Sequence, residues 1–260
     1  MLPDKEYIGV RGMARGGTNF ILSCFHPNPF CFSLSERYSC NNSVMDMTEE
    51  EFADVNSMYG TFDCKIKNRH MAQFLIYKTL NVNDCDNVIF CLRNPLRVYL
   101  SRQAYKADRE EWGFLSTMRE IGHLIVEYKN CSKRNMLVLH ERLCRNFSGE
   151  TKRMYDFVSM AIDPICDPLK LRLFWTKTKC GVRPIEKDGW FVCPKCKSQV
   201  KGYGNFNPYT VPSLSRAIDK DLDGKFNEGQ LKTFRDVVGD ELAEYWLNDS
   251  EHQYKITART

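Results

Sequence analysis

The chain has 260 residues, 43% hydrophobic and 27% charged, which excludes a largely disordered polypeptide and suffices for one large domain or two small ones. Its 37 Lys and Arg against 33 Asp and Glu leave a net charge of +4. That is too mild for a general nucleic-acid or membrane-surface binder, yet it suits an anionic ligand held at a local site. No apolar run reaches the ~18 residues needed to cross a bilayer. An apparent strand is reached by Tyr7 with no basic-then-apolar leader before it, so no secretion signal is expected.

Twelve cysteines stand out. Cys24, Cys31, Cys64, Cys91 and Cys144 are scattered through apolar segments of a chain large enough to fold without staples. Free buried thiols in a reducing cytosol are therefore expected, not a disulfide framework.

In chain order, Glu6–Arg11 predicts a short buried strand, Gly12 to Asn19 a glycine-rich turn, and Phe20–Phe25 a helix that His26-Pro27-Asn28-Pro29 stops. Residues 31–60 are polar and turn-rich, with a short helix at Thr48–Asn56. Phe62–Lys67 predicts a strand and Met71–Leu80 a helix. Asp86–Arg93 is the strongest strand, and Asn94-Pro95 opens the next helix. Glu111–Lys129 carries apolar residues at three-and-four spacing and predicts a long amphipathic helix. A strand at Asn135–His140 and a helix from about Glu150 to Ala161 follow. Residues 176–212, rich in Lys, Gly, Pro and Cys, read as a loop-rich insertion, and Glu228–Leu247 as one closing helix. Strands alternating with helices predict a single α/β domain over 1–260, a three-layer sandwich around a central parallel sheet.

A strand feeding a glycine-rich turn into a helix is a ready anion site, because backbone N–H groups converge there and the helix N-terminus adds partial positive charge. Gly12 to Gly17 has the G-x-x-x-x-G spacing of the nucleotide-binding P-loop, but Thr18-Asn19 stands where that motif requires Lys and then Ser or Thr. An ordinary ATPase or kinase is thereby disfavoured. Arg15 is the cation inside the loop, with Gly16 and Gly17 beside it and Thr18 and Asn19 as donors at the helix start. Arg93 ends the strongest strand, and Ser101 falls about two turns into the following helix, flanked by Arg97 and Arg102. Ligands of open α/β sheets sit at the carboxyl ends of strands, so Arg93 can reach the same crevice as the glycine loop.

Together, Arg15-Gly16-Gly17-Thr18-Asn19 and Arg93-Asn94-Pro95…Ser101 resemble the sulfotransferase family. Val138-Leu139-His140-Glu141-Arg142-Leu143, followed by Tyr155-Asp156-Phe157, extends the likeness over roughly residues 6–162 plus the closing helix. The family's first loop commonly reads Lys/Arg-Ser-Gly-Thr-Thr/Ser, from which this chain departs at the second and fifth positions; the second segment matches in full. The resemblance implies a P-loop NTPase-like fold and 3′-phosphoadenosine-5′-phosphosulfate (PAPS) as sulfuryl donor, with 3′-phosphoadenosine-5′-phosphate (PAP) as product. It implies that Arg15 and residues 16–19 hold the 5′ end, and that Arg93 and Ser101 hold the 3′-phosphate. Arg15 would stabilise charge on the leaving oxygens. A general base would come from Glu36, ranked ahead of His26 and His70. The acceptor would be a small molecule, glycan or peptide bearing a hydroxyl or amine. A cytoplasmic enzyme is expected, with no nucleic-acid partner. The rival readings are a P-loop nucleotide or small-molecule kinase and a non-enzymatic metal-binding protein on the same fold.

Two side motifs bear on that last rival. Cys193-Pro194-Lys195-Cys196 is a C-x2-C knuckle, and Cys180 would add a third ligand for a structural zinc, although no second C-x2-C completes the set. Asp219, Asp221, Asp223 and Gly224 copy much of an EF-hand loop. Gln230 replaces its bidentate Glu, so calcium binding is not expected there.

Overall fold

The computed structural model describes residues 6–25, 31–33, 73–105, 112–160, 185–187, 190–192, 195, 197, 222 and 224–247. Among the described residues five strands form one sheet: β1 (Glu6–Gly12), β2 (Cys31–Ser33), β3 (Phe74–Lys78), β4 (Asn87–Leu92) and β5 (Arg134–Leu139). Their order is β2-β3-β1-β4-β5 and every neighbouring pair is parallel. The expected central parallel sheet is present, with β1 in the middle.

Both faces are covered, so alternate residues of each strand enter different cores. On one face Ile8, Val10, Ile76, Ile89 and Val138 pack with Phe20, Ile21 and Leu22 of α1 (Thr18–Phe25), and with residues that follow β5. On the other, Tyr7, Leu75, Tyr77, Val88 and Phe90 pack with Met118, Ile121 and Leu124. Each such apolar side chain contributes about 1.5–3 kcal/mol when buried. The helices in chain order after α1 are α2 (Pro95–Tyr105), α3 (Phe114–Asn130), α4 (His140–Arg145), α5 (Phe147–Phe157), α6 (Glu228–Val238) and α7 (Asp240–Leu247). Met118, Ile121 and Leu124 belong to α3, and Phe234 and Trp246 of α6 and α7 complete that core.

Two expected helices are corrected. Met71–Leu80 is not a helix: β3 occupies Phe74–Lys78, and all five of its residues are buried. A short continuous apolar run flanked by strands suits a doubly covered parallel sheet, and periodicity alone does not separate it from a buried helix. The closing helix Glu228–Leu247 is two helices, broken at Gly239, whose φ of 81° ends α6 while its N–H donates to the Arg235 carbonyl. The expected strand at Phe62–Lys67 and helix at Thr48–Asn56 lie outside the described residues. Within 176–212 the described residues include a two-stranded antiparallel pair, Ile185–Lys187 with Trp190–Val192.

The β3–β4 connection is unusually short for a parallel crossover, which ordinarily takes about 10–12 residues or more. Residues 79–86 suffice because the registers are offset: Lys78 pairs with Val10, whereas Asn87 pairs with Ile8. The segment is pinned at both ends to β1. Thr79 N–H donates to Val10 O (3.1 Å) and Asp86 N–H to Tyr7 O (2.8 Å), while Tyr7 N–H donates to Asp86 Oδ2 (2.8 Å). It crosses directly over Gly9, where a Cβ would lie 2.3 Å from Cys85 Sγ and 2.7 Å from Thr79 Cγ2. Gly9→Ala is expected to destabilise the fold by about 1–3 kcal/mol in urea denaturation. Adding Cys85→Ala, which removes the nearer atom, should recover part of that loss; an unchanged midpoint for Gly9→Ala would contradict the close crossing.

Candidate functional site

At the carboxyl edge of the sheet β1 runs into a tight loop, in which Gly16 N–H donates to Met13 O (2.9 Å) and Gly17 O accepts from Phe20 N–H (2.9 Å) as α1 begins. Arg15 and Gly17 both have left-handed backbones, φ 67° and 97°. At Gly17 no side chain fits, since a Cβ would lie 2.1 Å from Cδ2 of His140. That imidazole closes the loop from behind.

The β4–α2 segment grips the loop from the side. Cys91 Sγ donates to Gly16 O (3.2 Å), Arg93 Nη1 to Arg15 O (3.0 Å) and Arg102 Nε to Ala14 O (3.3 Å). Three successive loop carbonyls thus accept from side chains of one segment. Arg15 Nε in turn donates to Ser101 Oγ (3.3 Å). The α1 N-terminus adds N–H groups and partial positive charge to the same edge.

Asn94 positions Arg93. Its N–H donates to Glu141 Oε1 (3.0 Å), its Nδ2 to Trp246 O (3.3 Å), and its Oδ1 accepts from Leu96 N–H (3.0 Å), capping α2 with Pro95 at the first helical position. Glu141 is fully buried, and its Oε2 accepts the indole N–H of Trp246 (3.2 Å). Burial pulls the Arg93 guanidinium below its ordinary pKa; Glu141 opposes this, while Arg15 and Arg97 add to it. Those three arginines therefore share one neighbourhood, and Arg97 is itself buried. His140 is held well below its ordinary pKa by burial first, and then by Arg93 and Arg97.

The loop residues Arg15, Gly16, Gly17 and Thr18 and the segment residues Arg93 and Ser101 are thus brought to one place, and Asn19 lies in the first turn of α1. Arg102 flanks Ser101 in sequence but faces the protein: it is 1% exposed and bonded to chain groups. Glu36, His26, His70, Cys180, Cys193, Cys196, Asp219, Asp221 and Asp223 lie outside the described residues. Gln230, at the twelfth position of the calcium-loop pattern, caps α6 instead. Its N–H donates to Asn227 Oδ1 (2.8 Å) and its Oε1 accepts from Asn227 N–H (3.0 Å). Among the described residues no group of three or more His, Cys, Asp or Glu is placed to hold a metal ion. The six described cysteines are free thiols, five of them buried.

Sequence reasoning passed over Lys78, a buried lysine that ends β3 beside β1. The helix expected over that segment hid it at the carboxyl edge. It also gave no site role to His140, whose signal is its place immediately after a strand.

Fold and site define a parallel α/β protein with a glycine-containing loop between its central strand and first helix. No protein-family profile and no curated protein sequence matches the chain. Solved structures do. The sulfotransferase domain of the olefin synthase of Synechococcus PCC 7002 aligns at 13% identity and a TM-score of 0.51, over 91% of this chain and 96% of that one. A sulfotransferase domain from the curacin biosynthetic pathway aligns at 9% identity and 0.51, over 88% and 96%. Mouse sulfotransferase SULT7A1, complexed with PAP, aligns at 12% identity and 0.51, over 94% and 88%. The fold is that of the sulfotransferases. No helix among the described residues is long and apolar enough to cross a membrane.

His140 gives the fold a pH dependence with a definite sign. The folded imidazole stays neutral where the unfolded one, at its ordinary value near 6.5, takes a proton. Stability from this group is full above about pH 6.5 and falls toward the folded value by up to ~1.4 kcal/mol per pH unit. Urea midpoints between pH 7 and pH 5 (about the unfolded histidine range) should fall less steeply for His140→Gln than for wild type. Parallel profiles would contradict a buried neutral His140.

Proposed function

We propose that this chain is a sulfotransferase that moves a sulfuryl group from PAPS to a hydroxyl or amine of an acceptor molecule. The observation that carries this reading is the gathering of Arg15, Arg93 and Ser101 at one sheet edge, beside a glycine loop that opens a helix. Two guanidinium groups and a hydroxyl offer more donors than a single phosphate requires and suit a ligand with two separated anionic groups. The loop lacks the Lys-Ser/Thr pair through which P-loop kinases hold ATP and magnesium.

In this reading residues 16–19 and Arg15 take the 5′ end of the nucleotide, and Arg93 and Ser101 the 3′-phosphate. PAPS, when bound, supplies an activated sulfuryl group. The chain's own contribution is positioning and electrostatics: Arg15 neutralises charge that grows on the oxygens of the group being displaced, without reorganisation at the moment of transfer. A general base must accept the acceptor's proton, and Glu36, then His26 and His70, are the residues we assign to that task. The acceptor is a small molecule, glycan or peptide, and the enzyme acts in the cytoplasm.

Titration calorimetry with PAP and with ATP tests the reading. PAP should bind the folded protein and ATP should bind far more weakly. Arg93→Ala should weaken PAP by about 10–100-fold, the size of one or two lost charge-assisted hydrogen bonds. Folded wild type that ignores PAP, or that prefers ATP, would sink it.

A further inference from the structure

Arg102 carries a role that its sequence position does not suggest. All three nitrogens of its guanidinium donate to the chain: Nε to Ala14 O (3.3 Å), Nη1 to Thr117 Oγ1 (3.2 Å) and Nη2 to Glu120 Oε2 (2.5 Å). The group also lies over the Trp112 ring, 5.8 Å from its centroid. Thr117 hydroxyl donates to Gly113 O (2.9 Å), which turns its oxygen toward Arg102 as an acceptor. Gln103, the next residue, donates from Nε2 to Trp112 O (3.2 Å), so α2 and the start of α3 are joined at two adjacent positions. Helix α3 is a firm anchor, because Met118, Ile121 and Leu124 bury it against the sheet.

The other end of this chain of contacts is the strained part of the loop. Ala14 O belongs to the peptide that leads into Arg15, and Arg15 O, on the peptide that leaves it, accepts from Arg93. The left-handed backbone between them costs an ordinary residue about 1–2 kcal/mol. Such a conformation persists where its surroundings over-determine it. Here two guanidinium groups hold the carbonyls on either side of it.

We propose that Arg102 is a positioning residue: it clamps the Ala14 peptide to α3 and thereby holds Arg15 in the left-handed conformation from which its guanidinium reaches Ser101 and a bound anion. The identity of that anion rests on the sulfotransferase reading; the clamp itself does not. A guanidinium is required, since a lysine ammonium has no planar fork with which to meet Ala14, Thr117 and Glu120 together.

The test compares wild type with Arg102→Ala, Arg102→Lys and Glu120→Gln by amide hydrogen exchange, PAP calorimetry and thermal unfolding. Faster exchange over residues 13–17 is expected in Arg102→Ala, with exchange in β4 unchanged. A loop that occupies the binding geometry about one tenth of the time weakens PAP about tenfold. Arg102→Lys should recover little of either effect, and Glu120→Gln, which keeps the guanidinium, should show a smaller version of each. This last variant stands in if Arg102→Ala does not fold. Unchanged loop exchange in Arg102→Ala and Glu120→Gln would overturn the clamp. So would lost PAP affinity with wild-type loop exchange, because Arg102 would then act on the ligand directly. Wild type that fails to bind PAP would defeat the sulfotransferase reading, while the exchange comparison would still decide the clamp.

Discussion

Glu141, fully buried beside the edge of the sheet where arginines gather, ties that edge together. Guanidinium groups placed close together repel, and burial makes the Arg93 charge more costly; Glu141 opposes that. An isolated carboxylate in the interior costs several kcal/mol or more, so it must itself be satisfied. One oxygen takes the Asn94 N–H and the other the Trp246 indole, which ties the ends of β4 and β5 to α7. Helix α7 is therefore part of the site's support as well as cover for the core. Removing one partner of a buried charge typically costs about 3–5 kcal/mol, so these contacts are expected to matter to the whole edge.

The loop in front of this charge is held by the chain's own groups. Its carbonyls at 14, 15 and 16 are held by Arg102, Arg93 and Cys91, and His140 fills the space that a side chain at Gly17 would need. His140 must remain neutral there, because a proton on it would add a further positive charge beside Arg93 and Arg97. The neighbouring thiols are suited to the same dry surroundings. Burial pushes Cys91 and Cys24 well above the ordinary thiol pKa and Cys144 up to about 12, so they pack as neutral groups. An edge of this kind stabilises charge through fixed dipoles and guanidinium groups, with little reorganisation.

How much of this was legible in the sequence depended on whether local chemistry or distant partners decided the outcome. Strands β1, β4 and β5 were readable because polar turn residues bound their apolar runs, and Gly16-Gly17 and Asn94-Pro95 announced the loop and the helix start by their own conformational limits. Strand β3 was read as a helix because five consecutive buried residues carry no period, and Lys78 was lost with it. The break at Gly239 needed its positive φ, although a glycine inside a helical pattern is a warning. Helical spacing placed Arg102 near Ser101 but could not say that Thr117 and Glu120 wait for it on another helix. Gln230 read as a defective calcium ligand, whereas Asn227 three residues before it is the other half of a capping box.

In the sulfotransferase reading we propose, one ligand with two separated phosphates bridges the glycine loop and the Arg93–Ser101 segment. A crystal structure of the chain with PAP tests it most directly. The 5′-phosphate should lie at the backbone of residues 16–18 and the 3′-phosphate against Arg93 and Ser101. PAP density with its phosphates away from either segment, or with the two ends exchanged, would contradict it.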